Sequence, residues 1–315
     1  MILANEFKLI ERYFRPLAGP EAQNLADDAA ILTPEPNQDI VISTDAMVEH
    51  IHFLAGADPS LLARKLLRAN LSDLAAMGAR PLGYLLTLCL PATIPAEWLE
   101  NFTAGLAQDQ KQFNLSLFGG DTTSTRGSIV ASITILGSVP HGQAVHRAEA
   151  RPGDLVYVTG AIGDGILGLA AARGEIDDPD GYLAGRYNLP TPRNALPICG
   201  LASAAIDVSD GLAQDLGHIA RASGVAITVR AADVPISPQA ARFPDRLPEM
   251  LAGGDDYELA LTVPTHREAA LLAAARAAGV SLTRIGFCAA GEAGVTLLDA
   301  SGESIELSRQ GWSHF

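Results

Sequence analysis

The sequence predicts a mixed α/β protein of two domains. Its 315 residues are long for one compact domain and comfortable for two. Short apolar runs of strand character are interspersed with segments whose apolar residues recur at helical spacing. Between Ala148 and Gly153 the chain takes on the polar, Pro/Gly-containing character of a junction. The boundary therefore falls near residue 150, giving a domain at 1–149 and another at 150–315.

Composition excludes several function classes. The net charge is −14 and no Lys/Arg cluster offers a footprint, so nucleic acid would be repelled. A small anionic substrate would be repelled too, unless cations intervene. Hydrophobic residues make up 48%, yet no run approaches the ~18 apolar residues of a membrane span. Residues 1–16 mix Glu6, Lys8, Glu11 and Arg12 into an apolar pattern, which reads as an amphipathic helix and not a signal peptide. The cysteines, Cys89, Cys199 and Cys288, are widely spaced and odd in number. They point to a reducing, cytoplasmic setting and against structural zinc, and each reads as a small core residue.

In the first domain, Phe7, Ile10, Tyr13, Phe14 and Leu17 mark one buried helix face, ended by Gly19-Pro20. Asp27-Asp28 follows. Adjacent carboxylates repel, so a convergent pair requires a counter-cation. Residues 39–42 read as a short strand ending in a polar tip, Ser43-Thr44-Asp45, after which apolar and polar residues alternate as far as Phe53. A lone aspartate there would be a turn or capping residue. Asp58-Pro59 starts a helix over 60–77 in which Asn70 and Asp73 share a side with Leu62, Leu66 and Ala69. A buried aspartate must be paired or hold a metal. A strand at 82–90, a helix from Pro95 to about Phe113 and a strand at 115–118 come next. Gly119-Gly120-Asp121-Thr122-Thr123 then combines glycines that admit an anion with oxygens that hold a metal. A strand at 129–139 completes the domain. Arg147, just before the junction, is placed to meet a phosphate.

In the second domain, a strand at 155–159 leads through a glycine-rich turn, 160–165, into a helix at 166–173. The turn lacks the Gly-Lys-Ser/Thr ending of a phosphate loop. Residues 175–181 form an acidic surface loop and 190–193 a rigid turn. Asp207-Val208-Ser209-Asp210-Gly211 opens a helix at 212–223; two acids and a serine exceed what capping needs. After a strand at 225–229, Gly253-Gly254-Asp255-Asp256 precedes a strand at 258–263. A helix at 265–278, a strand at 282–287 and a hairpin about residues 299–302 close the chain.

Taken together and in order, Asp27-Asp28, Ser43-Thr44-Asp45, His52-Phe53, the run from Asn70 to Ala79, Gly119 to Thr123, Asp207 to Leu212 and Gly253 to Leu259 resemble the thiamine-monophosphate kinase family. That family belongs to the superfamily that includes aminoimidazole ribonucleotide synthetase. The resemblance covers nearly the whole chain, down to Gly311-Trp312-Ser313-His314-Phe315. It implies a two-domain α/β fold, with an N-terminal ATP- and metal-binding domain that forms a β-barrel across a homodimer and a C-terminal domain that closes the cleft. It implies ATP as co-substrate, several Mg²⁺ ions and thiamine monophosphate as acceptor. Carried over residue by residue, Asp28, Ser43, Thr44, Asp45, Asp73, Asp121, Asp207 and Asp210 would be metal ligands. Gly120, Asp121, Arg147 and Ser209 would contact ATP, and His52, Asp255 and Trp312 the thiamine phosphate. The chain departs from the family pattern at Ala26, at His50 and at Asp255, each in place of a more usual Gly, small residue or Gly, and Glu.

The acceptor would be a phosphate monoester, ionised near neutral pH, which needs no general base. The barrier is then repulsion between polyanions, met by positioning and charge neutralisation, so direct in-line transfer without a side-chain nucleophile is expected. One alternative is a related ATP-dependent synthetase acting on an amide or selenide. The reactive cysteine near the start, or at the end, that marks such relatives is missing from this sequence. A non-enzymatic, acidic, cation-binding dimer scaffold is the other.

Overall fold

The computed structural model describes residues 6–313, with side chains from residue 8 onward. Phe7, as a side chain, and the His314-Phe315 ending lie outside the described residues. The chain divides into two compact units, 1–74 with 79–142, and 75–78 with 143–315.

The first unit is built on a four-stranded sheet. Its strands are β1 (Gln38–Val48), β2 (Arg80–Pro91), β3 (Ser116–Thr125) and β4 (Val130–Pro140), in the order β1-β4-β2-β3. Only β2 and β3 run parallel. Helices α2 (Pro59–Ala76) and α3 (Ala96–Phe113) supply the apolar cover. Leu66, Leu67, Leu71 and Leu74 on α2 are fully buried, as are Tyr84, Leu88, Ile133 and Ile135 on alternate strand positions. The α2–α3 pair is clamped by Asp109, whose carboxylate accepts from Arg68 at 2.6 and 3.0 Å and from Arg64 at 2.9 Å. The first helical segment starts as α1 (Glu6–Leu9) and continues as wider and then tighter turns to Leu17. Tyr13, Phe14 and Leu17 are buried as the periodicity required.

Two strands are longer than their apolar runs. Ser43-Thr44-Asp45 is not a strand tip but the middle of β1, and Gly119 to Thr123 lies within β3. The sheet has one open face, where polar side chains are tolerated, so its strands do not end where hydrophobicity does.

The second unit has a six-stranded sheet, β10-β7-β9-β5-β8-β6. The strands are β5 (Leu155–Thr159), β6 (Ala204–Val208), β7 (Ala226–Arg230), β8 (Glu258–Val263), β9 (Leu282–Ala289) and β10 (Gly294–Leu298). Every residue of β5, β6 and β8 is buried, because both faces are covered. Val156, Val158, Ile206 and Val208 pack with Leu212, Leu216 and Ile219 of α6 (Leu212–Ser223). Their alternates Leu155, Tyr157, Leu259 and Leu261 pack with Leu271 and Ala275 of α8 (Glu268–Ala278). Three short helices complete the unit: α4 (Asp164–Ala172), α5 (Tyr182–Asn188) and α7 (Leu247–Ala252). The expected hairpin near residue 300 reduces to a turn with a single bridge, Leu298 to Ser304.

Cys288 is buried, and Cys199 is half-buried with its thiol toward the Gly78 carbonyl at 3.4 Å. Burial raises both thiols, that of Cys288 up to about 12. At pH 8 the thiolate of Cys288 is then about one part in 10⁴. Brief alkylation of the native protein is expected to leave Cys288 unmodified by mass spectrometry, whereas the unfolded chain is modified at every cysteine. Rapid native labelling of Cys288 would contradict its burial.

Candidate active site

Strand register sorts the candidate residues of the first unit onto two faces. Thr44 opposes Thr134, which opposes Leu85, and Asp121 opposes Thr87. Directly opposed residues share a face, so Thr44 and Asp121 lie on the open side. Ser43 and Asp45, one residue to either side of Thr44, lie on the α2 side. There Ser43 Oγ donates to Asp73 Oδ2 at 2.5 Å, and the Asp45 N–H donates to Asn70 Oδ1 at 3.1 Å. Asn70 is itself fixed by donating to the Leu66 carbonyl at 2.9 Å. This accounts for the polar residues on an otherwise apolar helix: Asn70 and Asp73 are the means by which α2 grips β1.

On the open side, Asp27, Asp28, Asp121, Thr87 and Thr134 line a cavity of about 730 Å³, whose remaining wall includes Ile10, Phe14, Leu25 and Phe118. Asp28 and Asp121 are both exposed. Gly120 is required here by close approach, since a Cβ would come within 1.8 Å of the Leu86 carbonyl oxygen. His52 follows β1 in a turn, where its Nδ1 accepts from the Val48 N–H at 3.0 Å. His50 has φ +71°, a conformation that favours glycine, which is the physical content of its departure from the family pattern.

In the second unit, Asp207 is buried near the end of β6, and Ser209 and Asp210 form the turn into α6. Gly211 has φ +132° and sits against the Ala252 carbonyl, so only glycine fits. The residue that sequence reading missed is Asp215. It is 2% exposed, and its Oδ2 accepts from the N–H groups of Ser209, Asp210 and Gly211 at 3.0–3.1 Å. Burial and the Asp210 carboxylate push Asp215 up to about 7, against the pull of those donors. Its only sequence signal is an acid in the first turn of a helix.

Asp255 and Trp312 both attach to this turn. The Asp255 N–H donates to the Ser209 carbonyl at 2.9 Å and the Trp312 N–H to the Asp210 carbonyl at 3.0 Å. Gln214 bridges the Asp210 carboxylate and the Trp312 carbonyl, at 3.0 and 2.9 Å. Asp255 holds φ +68°. The following Asp256, fully buried and raised well above the usual carboxylate range mainly by that burial, accepts from the N–H groups of Gly163 and Gly165 at 2.8 Å. The glycine-rich turn is thus a packing and anchoring element for the Gly253–Tyr257 segment. Trp312 is 44% exposed and, with Asp210, His218 and Arg221, lines a hollow of about 530 Å³. Arg147 is exposed. Burial lowers the His218 imidazole, and the charges of Arg221 and Arg147 lower it further.

The carboxylates therefore form distinct sets: Asp27, Asp28 and Asp121 on the open face, Asp45 and Asp73 on the helix face, and Asp207 and Asp210 in the second unit. Among the described residues, no three His, Cys, Asp or Glu side chains close on one point tightly enough to hold an ion unaided. The donors are nevertheless hard oxygens, and no Lys, Arg or His is among the described residues lining the open-face cavity. Such a donor set fits Mg²⁺ sharing its coordination with phosphate oxygens.

Residues 26–139 match the family model described as AIR synthase related protein, N-terminal domain, and residues 151–297 match its C-terminal domain. The fold and its acidic, glycine-flanked sites thus define an AIR synthase-like two-domain protein. The chain is 45% identical to the thiamine-monophosphate kinase of Caulobacter vibrioides, over 98% of this chain and 90% of that protein. The crystal structure of thiamine-monophosphate kinase from Stenotrophomonas maltophilia K279a is 38% identical, with TM-score 0.85 over 97% of this chain and 99% of that one. AaThiL complexed with AMPPCP and TMP is 29% identical, with TM-score 0.79 over 98% and 97%. The chain belongs to the thiamine-monophosphate kinase family.

Proposed function

We propose that this protein transfers the terminal phosphoryl group of ATP to thiamine monophosphate, giving thiamine diphosphate and ADP. Kinship with thiamine-monophosphate kinases over nearly the whole chain carries this conclusion. A phosphate oxygen of the acceptor attacks the γ-phosphorus as the bond to ADP breaks. No side chain needs to remove a proton, because the acceptor phosphate is already ionised.

In the first unit, Gly120 and Asp121 are assigned to ATP, with the apolar part of the open-face cavity available to the nucleoside. Asp28, Ser43, Thr44, Asp45, Asp73 and Asp121 are assigned to metal, as are Asp207 and Asp210 in the second unit. Mg²⁺ held by these oxygens would neutralise the phosphates of donor and acceptor, which an acidic protein cannot do alone. Arg147 and Ser209 are assigned to ATP. His52, Asp255 and Trp312 are assigned to thiamine phosphate: an exposed indole offers a face to a cationic heteroaromatic ring, and a carboxylate offers it a counter-charge. The homodimer belongs to the same reading. Ile42 and Leu85, 62% and 40% exposed on the open face of the sheet, are apolar surface for a second copy to cover. No described helix is long and apolar enough to cross a membrane.

Release of ADP with Mg²⁺-ATP is expected with thiamine monophosphate and not with thiamine, with thiamine diphosphate as the product. ADP release that ignores thiamine monophosphate would overturn the assignment.

A further inference from the structure

We infer that Asp215 is a positioning residue for both substrates, acting through the turn at Ser209–Gly211; this rests on the assignment of Ser209 to ATP and of Asp255 and Trp312 to thiamine phosphate. One buried carboxylate oxygen takes the N–H groups of Ser209, Asp210 and Gly211. An acid in a helix's first turn ordinarily serves the helix's own N-terminus. Here the acceptor reaches back to the residues before the helix, where Gly211 offers no side-chain cap.

The carbonyls of the same turn are spoken for as well. Ser209 receives the Asp255 N–H and Asp210 receives the Trp312 N–H. Segments more than forty and ninety residues away along the chain thus hang on one turn whose orientation Asp215 sets. Asp255 has added need of support, because a non-glycine residue at φ +68° persists only where its surroundings enforce it. Loss of the Asp215 acceptor frees the turn to rotate, and Asp255 and Trp312 turn with it. Asp215 itself touches neither residue through any hydrogen bond described above.

The test is Asp215→Asn in the full-length protein, with amide hydrogen exchange and steady-state kinetics. Asparagine keeps the shape but replaces a charged acceptor by a weaker one shared among fewer donors. Exchange is expected to quicken about tenfold at Ser209, Asp210 and Gly211, and also at Asp255 and Trp312, with β5 and β8 unchanged. The KM values for ATP and for thiamine monophosphate are both expected to rise about tenfold. Asp215→Glu, which keeps the charge and displaces it by one methylene, should give the same pattern at smaller amplitude, and it serves if the asparagine variant does not fold. Even acceleration across the whole second unit overturns the inference, as do unchanged exchange at Asp255 and Trp312 or unchanged KM values. If the wild-type protein does not phosphorylate thiamine monophosphate, the functional assignment fails, while the exchange pattern still decides whether Asp215 holds these segments.

Discussion

Asp73→Asn is expected to lower kcat/KM for ATP-dependent phosphorylation of thiamine monophosphate by at least about a hundredfold. The side chain receives the Ser43 hydroxyl at 2.5 Å and lies on the α2 side of β1 with Asp45. Asparagine retains an oxygen for Ser43, so the helix keeps its grip on the strand and the unfolding midpoint should hardly move. What is lost is a negative charge beside a metal that neutralises phosphates. The residual activity should need more Mg²⁺ for half-saturation. A variant within threefold of wild type would remove Asp73 from the metal set.

The largest stability effect is expected at Glu258. This residue is fully buried at the start of β8. It accepts from Arg193 Nε and Nη2 at 2.5 Å, from Arg186 Nη2 at 3.0 Å and from Thr159 Oγ1 at 2.7 Å. Glu258→Gln keeps the shape and leaves two largely buried guanidinium groups short of a counter-charge. Removing one partner of a buried ion pair costs about 3–5 kcal/mol. For a unit of this size that lowers the midpoint by roughly 6–15 °C. Calorimetry or circular dichroism reads the change, and a drop below about 2 °C would mean that the cluster relaxes at little cost. Arg186 also contacts the Asp256 carbonyl at 3.4 Å, so the loss should extend to the Gly253–Tyr257 segment.

Much of the fold was legible because its helices and buried strands carry clear periodicity. The bounds of α6 and β8 coincide with those read from the sequence, where Gly211 and a run of buried apolar residues mark them. The misread elements share one cause. Ser43 to Asp45 and Gly119 to Thr123 looked like loops because they are polar, yet on a sheet with an open face a polar residue can stay in register. Helices α5 and α7 are too short for a periodic signal. The family motifs picked out which acids matter but not which face each one serves; that depends on pairing partners such as Thr87 opposite Asp121. Asp215 escaped altogether, since its work is done through backbone donors that no side-chain motif records.

The alternation of Ser43, Thr44 and Asp45 carries a consequence for how this strand can change over time. A substitution at any of them alters one contact on one side. Deleting a single residue just upstream, between Gln38 and Ile42, would exchange the sides altogether, sending Thr44 toward α2 and Ser43 and Asp45 toward the cavity. β1 should therefore tolerate a varied alphabet but not a varied count, and length changes in related chains should collect in the connections before Gln38 and after Val48.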